Sequence, residues 1–291
     1  MADTVWTNGA GTGNFGTAGN WSNGAPAAGG NAIFDGAYST ASVTLGLDRT
    51  GDTAGAGLDL ASIVVNANYT GDIAASGNPL ILGATNVIHR GSGAIYLKGD
   101  GGTSEVGIDN IVIDSPSMSA AVLYAGTNAA NVYTRVYVRS GGATLASSFE
   151  LGSGSTARIA VGGHPLRQAY LTVSAGNAAS VATVFANGQL TSTRQLTTIF
   201  QKGGLVTYSG ASITDLYMFG GRFVYNSDSP TYSLGRVRGF GGTLDLLQTY
   251  QQKTISSLER DANFQLLYNP SIHLVNATYW FNGDFIDQNA F

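Results

Sequence analysis

The residues of this 291-residue chain that could do chemistry are few, and their spacing excludes most of what they could do. Cysteine is absent, which removes disulfides, thiolate metal sites and thiol nucleophiles. The three histidines, His89, His164 and His273, are isolated from one another and read as turn or surface residues, not ligands. Cleaving a glycan takes clustered carboxylates for acid–base work, or basic residues with calcium for elimination. Asp109 and Asp114 flank Asn110-Ile111-Val112-Ile113, and an odd separation sends them to opposite faces of a strand. Asp48 and Asp52 share parity but straddle Gly51 in an expected turn. Carboxylates from distant segments could still converge on folding. No enzyme, cofactor or metal is expected from these residues.

Glycine motifs lead no further. "GTGNFG" at 11–16 matches G-x-G-x-x-G, but "TAGNWSNGAP" cannot continue as the helix that a dinucleotide site needs. "GAGLDL" at 55–60 resembles one calcium-binding nonapeptide, with Asp59 in the ligand place. A single copy cannot build that site, so a turn is expected there. Asn20, Asn68 and Asn276 head N-x-[ST] triplets that so Asn-, Ser- and Thr-rich a chain carries by chance.

The elements that would position these residues are strands. Glycine is 41 of 291 residues, about double the usual share, and only 11% are charged against a typical ~25%. Glu and Lys, strong helix formers, occur three times each, while 26 Phe and Tyr supply core material. An all-β protein follows. A net charge of −4 speaks against nucleic acid as partner. The close pairs Arg236/Arg238 and Arg135/Arg139 read as a solvated or salt-bridged edge. "MADTVWTNGAGTG" lacks the basic and apolar regions of a signal peptide, and no apolar run approaches a membrane span. The expectation is a protein made in a cytoplasm, without a membrane partner.

Glycine pairs recur. Gly141-Gly142, Gly162-Gly163, Asn187-Gly188, Gly203-Gly204, Gly220-Gly221 and Gly241-Gly242 start 21, 25, 16, 17 and 21 residues apart, and Phe185, Phe200, Phe219 and Phe240 precede the later ones. Short alternating runs follow most pairs. A period near 20 is that of a solenoid, with the pair marking a corner where φ is positive or backbones approach closely. The fold expected is a single-chain parallel β-helix of about 20 residues per coil, a rod of roughly 60 Å if ~12 coils stack. Upstream, "SVTLGL", "ASIVVNANYTGDI", "NPLILGATNVIHR", "GAIYLKGDGG", "VGIDNIVIDS", "AAVLYAG" and "RVYVRS" read as further strands. The expected organisation is a Trp- and Gly-rich cap or docking segment over 1–45, the β-helix over 46–250, and a C-terminal cap or oligomerisation segment over 251–291.

Both ends of such a rod expose strand edges that need covering. Trp6, Trp21 and Phe34 lie near one terminus, and Trp280, Phe281 and Phe291 near the other. They could plug the core, or form an assembly contact, which is the expectation carried forward. Trp6, Asn20-Trp21, Gly24, Pro26, Gly30, Ala32, Phe34 and Asp35 resemble the opening of many β-helical surface proteins. Autotransporter passenger domains with β-strand repeats are among them, as are β-helical proteins encoded with bacteriophage structural genes. Residues 203–247 are similar to the phage version, and the two stretches cover about a quarter of the chain. Without a signal peptide or a recognisable outer-membrane barrel, the phage resemblance is the one followed.

That resemblance implies a charge-poor, assembly-forming virion protein and no catalytic residues. It favours a capsid decoration protein, commonly a homotrimer bound to the major capsid protein, over a tail spike or fibre component that binds a receptor. A carbohydrate-binding or polysaccharide-degrading β-helix is the other alternative, binding its ligand in a lateral groove along tyrosines such as Tyr133 and Tyr137.

Overall fold

The computed structural model describes residues 3–52, 57–99, 107–124, 133–145, 158–174, 179–276 and 278–280. They form an all-β chain in which twenty strands share one hydrogen-bonded sheet. Every strand pairing is parallel, as in a β-solenoid. Among the described residues the helical content is one 3-10 turn, Ala18–Asn20.

The strands are β1 (Asp3–Val5), β2 (Asn31–Phe34), β3 (Asp59–Val65), β4 (Leu80–His89), β5 (Ile95–Gly99), β6 (Ile108–Asp114) and β7 (Ala121–Tyr124). Next come β8 (Tyr133–Leu145), β9 (Arg158–Val161), β10 (Ala169–Val173), β11 (Ala179–Val184), β12 (Gly188–Ser192), β13 (Leu196–Gln201) and β14 (Leu205–Tyr208). The last are β15 (Ile213–Tyr225), β16 (Leu234–Asp245), β17 (Thr254–Arg260), β18 (Phe264–Leu267), β19 (Leu274–Val275) and β20 (Thr278–Trp280). Of the expected upstream strands, "SVTLGL" forms only isolated bridges at Val43 and Leu45, because Gly46 turns to φ +63° and breaks the extended run.

Two ladders result. In its central part the first runs β6, the start of β8, β9, β11, β13, and the starts of β15 and β16. The second runs β7, the end of β8, β10, β12, β14, and the ends of β15 and β16. β8, β15 and β16 therefore cross between ladders without a loop, and they do so at Gly141-Gly142, Gly220-Gly221 and Gly241-Gly242. At the β15 crossing the register shifts on either side of Phe219. Gly221 has φ +78°, and a Cβ there would lie 2.4 Å from the Gly204 carbonyl oxygen of the neighbouring turn. The recurring pair is thus a bend stacked on the bend below it, and at its second glycine, Gly221 here and Gly242 on the next turn, neither handedness nor space admits a side chain.

The spacing between register partners varies along the rod. It is 17 residues at 181↔198 and 198↔215, 21 at 215↔236, 23 at 158↔181, 24 at 63↔87 and 31 at 31↔62. The inward column holds, since turns absorb the difference. Ala32, Ile63, Val87, Ile111, Val136, Ile159, Ala182, Ile199, Leu216, Val237 and Leu258 stack rung on rung and are all buried. Strand alternation aims each of these side chains inward, so the core is a continuous aliphatic seam.

At the N-terminal end Trp6, Phe15, Trp21, Phe34 and Tyr69 form a buried aromatic plug. Trp6 and Trp21 meet edge to face at 5.1 Å, and both indole N–H groups donate to carbonyls, of Ala41 and Phe15 respectively. The expected assembly contact is corrected here for Trp6, Trp21 and Phe34. They are 0%, 4% and 0% exposed and seal the core instead of facing a partner. Segment 20–24 lies along the outer edge of β1, where Ser22 N–H donates to the Val5 carbonyl and the Thr4 hydroxyl to that of Gly24. That cover blunts the edge against another chain. Ladder strands already occur in both segments expected as caps, β1 and β2 before residue 45, and β17 to β20 after residue 251. Trp280 ends β20, its backbone paired with Arg260, while Phe281 and Phe291 lie outside the described residues.

Two further expectations change. His89 is buried within a strand, not on a turn or the surface, whereas His273, though buried, closes a turn by donating its N–H to the Asn269 carbonyl, and the Nδ1 of His164 accepts the Leu166 and Arg167 N–H groups of another. His89 replaces an aliphatic residue in an inward column between Val65 and Ile113, where the pleat leaves it no route to water. Asp59 opens β3 and is not a turn residue, because the run from Asp59 to Val65 pairs with both β2 and β4.

Candidate functional site

The outer face of the first ladder carries the side chains that alternation turns away from the core. Its usual chemistry is cross-rung ion pairing. Arg236 lies 2.7 Å from Asp215, Arg238 2.6 Å from Glu259, and Arg139 3.1 Å from Asp114. These three arginines are the salt-bridged edge that their close spacing suggested. Burial pushes the Asp114 carboxyl up, but the Ser140 hydroxyl, Arg139, Arg167 and His164 outweigh it and hold its pKa below the usual carboxylate value.

Arg135 departs from this pattern. Its register partner one rung away is Arg158, and among the described residues neither has an ion pair. Both are exposed. Like charges facing each other across neighbouring strands repel.

Two positions along, the outward column reads Tyr137, Ala160, Thr183, Phe200. Two rings are separated by two small residues, and that difference in size hollows the surface. Phe185 and Lys202 close the far side, with the Lys202 ammonium 5.7 Å from the Phe185 ring centre and the Tyr137 ring 6.4 Å from that of Phe185. The concavity has a volume of about 840 Å³. It spans the four rungs β8, β9, β11 and β13, roughly 14 Å along the rod. Arg135, Arg158 and Lys202 line it, and no carboxylate does among the described residues.

The walls are held firmly. The Tyr137 hydroxyl donates to the Gly162 carbonyl at 3.1 Å, and desolvation by burial raises its pKa. Phe200 stacks on Tyr217, which also lies under the Arg238 guanidinium at 5.6 Å. Phe219 and Phe240 stack at 5.2 Å farther along the rod. By contrast, among the described residues the hydroxyls of Thr183 and Thr198, in the floor and one wall, make no hydrogen bond.

Of the tyrosines expected in a lateral groove, Tyr137 forms a wall of this one. The backbone of Tyr133 pairs with Ile108 at the start of β8. Arg158, Lys202, Phe185 and Phe200 were not singled out as site residues. The two phenylalanines did carry a signal, their recurrence just upstream of the glycine pairs. Elsewhere, desolvation by burial, and secondarily the charge of Asp109, raises the Asp59 pKa. No group of three or more His, Asp or Glu among the described residues is placed to hold a metal ion. Comparison of the chain with protein-family models, with curated proteins and with solved structures finds no match.

Proposed function

We propose that this chain is a non-enzymatic structural protein of a tailed-bacteriophage virion, a parallel β-solenoid that decorates the head surface. The observation that carries this reading is the unbroken parallel ladder from Asp3 to Trp280. Ion pairs and ring stacks tie successive turns together on its outside, as in Arg236–Asp215 and Phe200–Tyr217. About twelve steps of ~4.8 Å give a stiff rod of roughly 60 Å, suited to display on a larger particle. The resemblance of residues 6–35 and 203–247 to phage β-helical structural proteins supports the same reading.

With the N-terminal edge covered and its aromatics buried, attachment to the major capsid protein falls to the side of the rod or its C-terminal end. Closed symmetry makes a homotrimer the natural form on a local threefold. Synthesis in the host cytoplasm belongs to this proposal. Immunogold electron microscopy with antibody to this chain tests it on particles from the source culture. Label spread over the heads is the expected result, label restricted to tail tips moves the protein to host recognition, and unlabelled particles overturn the virion role.

A further inference from the structure

From the chemistry of the lateral groove we infer that it binds an acidic glycan, a chain of pyranose rings bearing carboxylates. The inference stands on the groove itself, wherever the protein is displayed. Arg135 and Arg158 are set side by side on neighbouring rungs with no acid among the described residues to neutralise them, while the other outward arginines of the same ladder, Arg139, Arg236 and Arg238, each have one. A carboxylate seated between two guanidiniums would relieve their repulsion and accept paired N–H donors from each.

The rest of the groove selects the body of the ligand. Between the Tyr137 and Phe200 rings the floor is only Ala160 and Thr183, a slot for a sugar ring that packs its C–H face against aromatic walls. The hydroxyls of Thr183 and Thr198, without a hydrogen bond among the described residues, stand where a polyol would hydrogen-bond, a few polar groups set among apolar walls. Lys202 supplies a third cation across the slot. Nucleic acid fits less well. Its dense phosphate charge calls for a broad basic face, whereas this chain carries a net charge of −4 and the groove three cations.

The test is binding of the intact protein to polygalacturonate, with neutral dextran and oligothymidylate as the other probes, read by calorimetry at low and moderate salt. The expected result is binding of polygalacturonate that weakens with salt, and none of dextran. The variant Arg135→Gln/Arg158→Gln should bind on the order of tenfold less tightly per guanidinium lost. Its melting temperature should equal or exceed that of the native protein, because a like-charge pair has been removed. Lys202→Gln is a second variant, expected to weaken binding without disturbing the ladder. Equal binding of dextran, preference for oligothymidylate, or no binding of any probe would each overturn the inference. None of these results bears on the immunogold result, so the two proposals fail separately.

Discussion

Phe200 and Tyr217 occupy register-partner positions on neighbouring strands of the outer face, and their rings stack 4.8 Å apart at 13°. Stacked cross-strand rings add about 0.5–1.5 kcal/mol beyond the area they bury. A double-mutant cycle with Phe200→Ala and Tyr217→Ala should give a coupling in that range, measured by urea denaturation. A coupling near zero would mean that the stack contributes only its burial.

Trp21 is buried among Trp6, Phe15 and Phe34, with its indole N–H donated to the Phe15 carbonyl at 2.7 Å. Trp21→Ala should cost about 3–5 kcal/mol, the usual result of emptying a large aromatic site. Thermal melting followed by circular dichroism reads this directly. A variant as stable as the native chain would contradict the plug.

His89 provides a pH signature. Its Nε2 N–H donates to the Gly93 carbonyl at 2.9 Å, and its buried Nδ1 has no partner. Desolvation lowers its pKa from 6.5 to about 4, although the bond to Gly93 works in the other direction. Between those values the unfolded chain binds a proton that the folded chain refuses. Stability therefore falls as the pH drops from 6.5 to 4, by roughly 3 kcal/mol from this residue. His89→Leu, matching the aliphatic neighbours in its column, should flatten that part of the stability profile in denaturant titrations at successive pH values.

Gly221 and Gly77 separate two effects of a side chain. Both have φ near +80°, but a Cβ on Gly221 would strike the Gly204 carbonyl, while one on Gly77 meets nothing within 4 Å. Gly77→Ala should cost only the left-handed penalty, about 1–2 kcal/mol. Gly221→Ala should cost clearly more, because the stacked bends must separate. Similar losses in equilibrium unfolding would show that the bends tolerate the extra atom.

Strand content, the solenoid repeat and the glycine bends were readable in the chain because each depends on local rules. Alternation sets which side chains leave the core, and a positive φ selects glycine at a corner whatever lies around it. The fates of Trp6, Trp21 and His89 were not local. A tryptophan near a terminus has the same sequence signature whether it plugs a core or faces a partner, and only the stacked turns left these without solvent. Nor does the chain reveal that Arg135 meets Arg158. They become neighbours because this turn and the next each take 23 residues, where the later ones take 17 or 21. Turn length thus decides which outward residues come together. That is set by the packing of the whole rod, and the lateral groove exists only at that level.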